Sequence, residues 1–166
     1  MNPRRTKSLE PAVTSSTTSQ NVSSRGATAL YSPDLLALAV TLADYPLDPS
    51  HTRQAEARSR TCGSVVAISL EQDEAGRIGA LGLQVSACAV GQCAAALFAQ
   101  AAVGRNASDI AAMRDAIASW IAGGEMPGWP GLAVLTPALA HKGRHAAILL
   151  PWEAAASALS NPPAPD

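Results

Sequence analysis

Val65 to Val90 reads VVAISLEQDEAGRIGALGLQVSACAV and holds two extended runs, the turn between them and the change of period that ends them. Val65-Val66-Ala67-Ile68-Ser69-Leu70 is β-branched, and Ile78 to Val85 is again extended. Asp73-Glu74-Ala75-Gly76 between them has turn chemistry, so the pair forms an antiparallel hairpin. Upstream, Glu56 to Thr61 alternates small and polar residues and supplies a third strand. From Val90 the spacing becomes helical: Cys93, Ala94, Leu97, Phe98, Ala101 and Ala102 share a helical pattern that Gly104 ends.

Working outward, Ser32-Pro33-Asp34 is a helix start, with a capping hydroxyl, a proline at the first helical position and an acid at the positive end of the dipole. Leu35, Leu36, Leu38, Ala39 and Leu42 follow as an apolar stripe up to Ala43, and Tyr45 to Arg53 is loop. Downstream, Ser108-Asp109 is expected to cap a helix bearing Ile110, Met113, Ile117 and Ile121. After a Pro/Gly-rich link comes an apolar turn at Leu132 to Leu139. The last helix spans Arg144 to Leu159, with Pro151 predicting a kink or a start near Leu149. The fold class is α+β: an N-terminal helix, a three-stranded antiparallel sheet, then a helical C-terminal half packed on it.

Residues 1–29 are rich in Ser and Thr and poor in large apolar residues, so they are expected to form a disordered tail. One domain is expected over 30–160 and a disordered end over 161–166. The tail carries Arg4, Arg5, Lys7 and Arg25 against Glu10, a net +3, which leaves −4 on the remainder of a chain of net charge −1. That balance argues against a nucleic-acid partner. No apolar stretch reaches the roughly 20 residues of a membrane span, and none forms a signal-peptide core. Three cysteines do not close a disulfide set, so a reducing cytoplasm is expected.

Those cysteines are the chemistry. Cys62 lies in Thr61-Cys62-Gly63-Ser64 between two strands, where Gly63 permits a turn. Cys88 lies where the third strand gives way to a helix N-terminus, whose amides and dipole favour a thiolate. His145 opens the last helix and could join two thiolates on one metal. Spacing alone matches no local zinc-finger pattern, and an isolated Cys is usually a small buried hydrophobe. His51 and His141 sit in polar loops and are expected to face solvent.

Tyr31-Ser32, Arg60-Thr61-Cys62-Gly63-Ser64, Gly76-Arg77-Ile78, Ser86-Ala87-Cys88-Ala89-Val90-Gly91-Gln92 and Arg144-His145-Ala146-Ala147-Ile148-Leu149 occur in an order that resembles the IscU/SufU/NifU-type iron-sulfur cluster assembly scaffolds, from about Leu30 to Leu159. The resemblance implies a scaffold rather than an enzyme. It also implies a transient [2Fe-2S] cluster or Zn2+, a cysteine desulfurase as sulfur donor, and recipient apo iron-sulfur proteins. Carried over by position, its three cysteine ligands fall on Cys62, Cys88 and Ala146. Its aspartate falls on Ser64, and the Leu-Pro-Pro-Val-Lys segment by which some members engage a chaperone is not found.

The expected ligand set is therefore Cys62, Cys88 and His145, with Ser64 and Cys93 as further candidates. Three donors suit zinc with an open position better than a two-iron cluster, which takes four. Cys93 would lie roughly 140° from Cys88 on an ideal helix, which favours a helix-packing role over ligation. Loss of two expected ligands also motivates a second reading, a degenerate relative that holds zinc or no metal and regulates the assembly machinery. A third, a thiol enzyme with Cys88 as nucleophile and His145 as base, lacks any recognisable oxyanion hole.

Overall fold

The computed structural model describes residues 30–162. The tail expected over residues 1–29 and the end from residue 163 onward lie outside the described residues. Helix α1 (Pro33–Val40) begins as its sequence dictates: Ser32 Oγ accepts the Leu35 amide at 3.2 Å. It tightens into a 3-10 turn at Thr41–Asp44. Strands β1 (Arg53–Arg58), β2 (Val65–Gln72) and β3 (Ile78–Ser86) form an antiparallel meander in the order β1-β2-β3. Helices α2 (Ala89–Ala102), α3 (Ala107–Ile121) and α4 (His145–Ser160) complete the domain, with 3-10 segments at Leu132–Ala140 and Lys142–Arg144.

Helix α4 packs on β1 and β2, α2 packs on β3 and α4, α1 lies on α2, and α3 lies on α4. Val66, Ile68 and Leu70 supply the buried alternate positions of β2. The helices answer with alanine: Ala94, Ala95 and Ala99 on α2 and Ala154, Ala155 and Ala158 on α4 are all buried. Small side chains let the backbones approach closely, and three large rings fill what remains. Phe98 stacks on Trp129 at a centroid distance of 5.9 Å, and Trp152 meets both edge-on at 5.6 and 5.3 Å.

Four local expectations are corrected. The first strand is Arg53–Arg58, about three residues earlier than Glu56 to Thr61, because the chain from Ser59 turns on its own side-chain hydrogen bonds. Helix α3 is capped by Asn106, not Ser108-Asp109; Asp109 is the far side of a capping box, its carboxylate accepting the Asn106 amide while Asn106 Oδ1 accepts its own amide. Helix α4 begins at His145, not near Leu149, and runs to Ser160 with Pro151 inside it. Proline removes the donor for the Ala147 carbonyl. That carbonyl lies close to Gly91 of α2, 3.6 Å from where a Cβ would stand there. Finally, His51 is not a solvent residue: its Nδ1 lies 3.1 Å from Oγ of the buried Ser69.

The His51 contact belongs to a device that covers one sheet edge. The segment after the 3-10 turn runs along β3, where Leu83 N donates to Tyr45 O at 2.8 Å and Pro46 bridges Leu83. Asp48 N donates to Ser69 Oγ at 3.0 Å, pinning the loop. A Cβ on Gly82 would stand 2.9 Å from Leu47 Cα and 3.0 Å from Asp48 N, with Pro46 O closer still. Gly82→Ala is therefore expected to cost about 1–3 kcal/mol, since only backbone can move aside. A urea titration should show a lowered midpoint for it, whereas Gly79→Ala, whose Cβ would meet nothing nearer than 3.8 Å, should differ from the parent far less.

Candidate site at the end of the sheet

The strand register gathers the sequence-predicted residues at one end. Arg58 pairs with Val65 and Val65 with Ser86, so the β1–β2 loop and the β3–α2 junction lie side by side. Ser59 N donates to Ser64 O at 2.8 Å, closing the loop, and Gly63 takes a φ of 70°, a region open to glycine. Gly91 packs near Ala147, a Cβ there being 3.3 Å from the Ala147 Cβ, which brings the start of α4 to the start of α2.

Within the loop, Ser59 Oγ accepts the Thr61 and Cys62 amides, each at 3.2 Å. With both lone pairs engaged, its own proton is left for Thr61 Oγ1 or for Cys62 Sγ, each 3.1 Å away. Ser64 Oγ lies 3.1 Å from the same sulfur. Cys62 itself is exposed. Partial burial pushes its thiol up, but hydrogen bonds from the Ser59 and Ser64 hydroxyls and the Ser64 amide, with the Arg144 charge, outweigh this and hold it below the ordinary thiol range. The Arg144 guanidinium is steadied by Tyr31, to whose hydroxyl its Nη2 donates at 3.3 Å.

Cys88 is the N-cap of α2, half-buried, with an extended backbone and a side chain that makes no capping bond. His145 is the first residue of α4, and its Nε2 lies 2.8 Å from Leu139 O. A carbonyl only accepts, so Nε2 is the donor in this contact. Ala146, next to His145, contributes no side-chain donor atom. Ser64 is buried and its hydroxyl is spent on Cys62. Cys93 is fully buried on the core face of α2, and burial pushes its thiol up to about 12, so it packs there as a small apolar side chain.

Among the described residues, no three His, Cys, Asp or Glu side chains stand together in a metal-holding cluster. The Cys62 sulfur is instead set among hydroxyl donors and a cation. Ser59 and the charge of Arg144 were not legible as site features in the sequence. The one local signal for Ser59 is a serine three residues before a cysteine at a strand end, the spacing of a side-chain-to-backbone turn.

Removing the Ser59 hydroxyl tests this shell. Ser59→Ala is expected to move the Cys62 thiol upward toward the ordinary range, because a donor to the thiolate is lost. Alkylation by iodoacetamide follows the thiolate fraction and rises with pH through that midpoint. The pH–rate curve of the parent should therefore lie to the acid side of the variant's, and coincident curves would refute the role given to Ser59.

No family model and no curated protein matches the chain in sequence. Solved structures do match its fold. The crystal structure of a nitrogen-fixing NifU-like protein (N-terminal) from Brucella abortus superposes with a TM-score of 0.74 at 26% identity, over 81% of this chain and 94% of that one. The chain is an IscU/SufU/NifU-type protein in fold. A protein from thermophilic Fervidobacterium islandicum AW-1, assigned to the SUF system as an iron-sulfur cluster assembly scaffold, shares the fold at 18% identity with a TM-score of 0.67, over 80% of this chain and 98% of that one. On this IscU/SufU/NifU-type frame the ligand positions implied by the resemblance sit at the three chain segments gathered at the sheet end, and two of those segments carry a thiol.

Proposed function

We propose that this chain is a scaffold or carrier in iron-sulfur cluster assembly, and that it accepts sulfur at Cys62 from a cysteine desulfurase. The observation that carries the reading is the setting of Cys62: an exposed sulfur, 3.1 Å from each of two serine hydroxyls, under the charge of Arg144, on a fold shared with proteins of that system. A thiolate is the competent nucleophile, and each of these neighbours stabilises it. In the transfer, Cys62 Sγ attacks the outer sulfur of the donor's persulfide. The donor's S–S bond breaks, its cysteine leaves as a thiolate, and Cys62 keeps the new S–S bond.

Iron or zinc enters this reading as cargo, with Cys62, Cys88 and His145 as the ligands assigned to it. Three donors, one of them an imidazole engaged with Leu139, do not fit a bridged two-iron cluster, which takes four. By number and type they would suit zinc with an open fourth position, once brought together from the arrangement described above. Recipient apo iron-sulfur proteins would take the cargo onward. The second reading, a regulatory module for the assembly machinery that holds zinc or no metal, is favoured by Ala146 and by the engagement of Ser64 with Cys62. Enzymatic thiol chemistry at Cys88 with His145 as base has no comparable support.

Protein purified without oxygen, then given a desulfurase, cysteine and iron, separates these. A persulfide on Cys62, or iron with acid-labile sulfide and visible charge-transfer absorbance, supports the carrier reading. Zinc without sulfide, with no persulfide, favours the regulatory module. With no metal, no sulfide and no persulfide, the carrier reading is abandoned and the metal-free regulatory module is favoured.

A further inference from the structure

Charge on this domain is segregated. Residues 30–162 carry eight Lys and Arg against eleven Asp and Glu. Four of those cations, Arg58, Arg60, Lys142 and Arg144, lie on the two segments that frame Cys62, and Glu56, paired with Arg58, is the neighbouring carboxylate on them. The rest of the domain holds four cations against ten acids. Counted along the chain, a net −3 is thus divided into +3 on the two segments that frame Cys62 and −6 on the remaining described residues.

The cations of the rim are not consumed by internal pairing. Among the described residues, Arg60, Lys142 and Arg144 make no ion pair, and Asp34, the nearest carboxylate along the chain to Tyr31, makes none with Arg144. Arg60 and Lys142 are exposed, and Arg144 is half-buried with its guanidinium held by Tyr31. Arg60 is two residues from Cys62 in a closed loop, and the Arg144 charge acts on the sulfur. A local positive field at the reactive atom of an acidic protein selects among approaching partners by sign. Three unpaired cations are too few to hold nucleic acid against the net negative charge of the remainder.

We propose that Arg60, Lys142 and Arg144 form a docking rim that admits to Cys62 a sulfur donor whose approaching segment is acidic. The proposal rests on reading Cys62 as the accepting thiol and adds the chemistry of the partner. The rim raises the local concentration of an acidic segment and repels a basic one, so selectivity arises in encounter and fades as salt screens the charges.

Two synthetic peptides test this, one rich in glutamate and one rich in lysine, each carrying a cysteine as a mixed disulfide with thionitrobenzoate. Cys62 attacks the peptide sulfur, a Cys62–peptide disulfide forms, and thionitrobenzoate leaves as a coloured thiolate. Tryptic cleavage after Arg60 and Arg77 isolates Cys62 from Cys88 and Cys93, so mass spectrometry reads the adduct at Cys62 alone. At low salt the acidic peptide is expected to react about tenfold faster or more, and the ratio should collapse in 0.5 M salt, taken as roughly a 4 Å screening length. Arg60→Glu/Lys142→Glu, which changes two exposed side chains and leaves cleavage after Arg58 and Arg77 to isolate Cys62, should erase or invert the preference, while Arg53→Glu/Arg114→Glu, which also keeps the Arg77 site, should retain it. Equal rates for the two peptides, or an equal loss in the second double variant, would overturn the rim. Failure of the sulfur-accepting role itself looks different: no persulfide on Cys62 from a desulfurase, with the peptide preference intact.

Discussion

Trp152→Ala is expected to lower stability by about 3–5 kcal/mol, the largest effect of any single truncation in this domain. Trp152 is 0% exposed and meets Phe98 and Trp129 edge-on, in a core whose helices bury mainly alanine, a side chain with no length to fill a vacated space. The cost combines lost burial with a cavity whose walls are helix backbones in close contact. Trp152 Nε1 is also a buried donor with no partner, whereas Trp129 Nε1 donates to Leu97 O at 2.9 Å. The two indoles therefore respond differently to phenylalanine. Trp152→Phe discards an unsatisfied group and should cost less than Trp129→Phe, which gives up a buried hydrogen bond to the Leu97 carbonyl. Urea unfolding of the three variants checks the order. A Trp152→Ala loss below about 1 kcal/mol would mean that the aromatic cluster does not hold the helices together.

Cys62→Ser is expected to reduce persulfide capture from a desulfurase to under about one-tenth of the parent, because a serine hydroxyl is not ionised at neutral pH and is a poor nucleophile toward sulfur. The exchange changes one atom in an exposed loop, so the fold should tolerate it. Cys93→Ser should leave capture intact, since that thiol is buried and pushed up to about 12. Persulfide-selective labelling followed by tryptic mapping reads all three proteins. Undiminished capture in Cys62→Ser, with the sulfur found on Cys88, would move the accepting site to the α2 N-terminus.

The two effects lie in different parts of the same architecture, and the sequence speaks to them unequally. The hairpin from Val65 to Ser86 and the helical period after it were legible because alternation and turn chemistry are local properties. So were the Ser32 cap and the placement of Cys62 and Cys88 at element junctions. The motif order pointed to a fold that the solved structures bear out. No family model reports it, in keeping with departures such as Ala146 and Ser64.

What the sequence by itself determined is the list of elements and the two cysteines that stand at their ends, because hydrophobic period, caps and glycine turns act within a few residues. Tertiary structure alone decided the rest. Gly91 of another helix lets the start of α4 lie close to α2, and His51 is fixed because Ser69, on β2, reaches it. The setting that favours the Cys62 thiolate arises for the same kind of reason. Its neighbours Ser59 and Ser64 are brought round by a closed loop, the Arg144 charge comes from 82 positions away, and His145 is engaged with Leu139. Donor identity is written along the chain, but the directions in which donors point depend on contacts between segments that the chain order keeps apart.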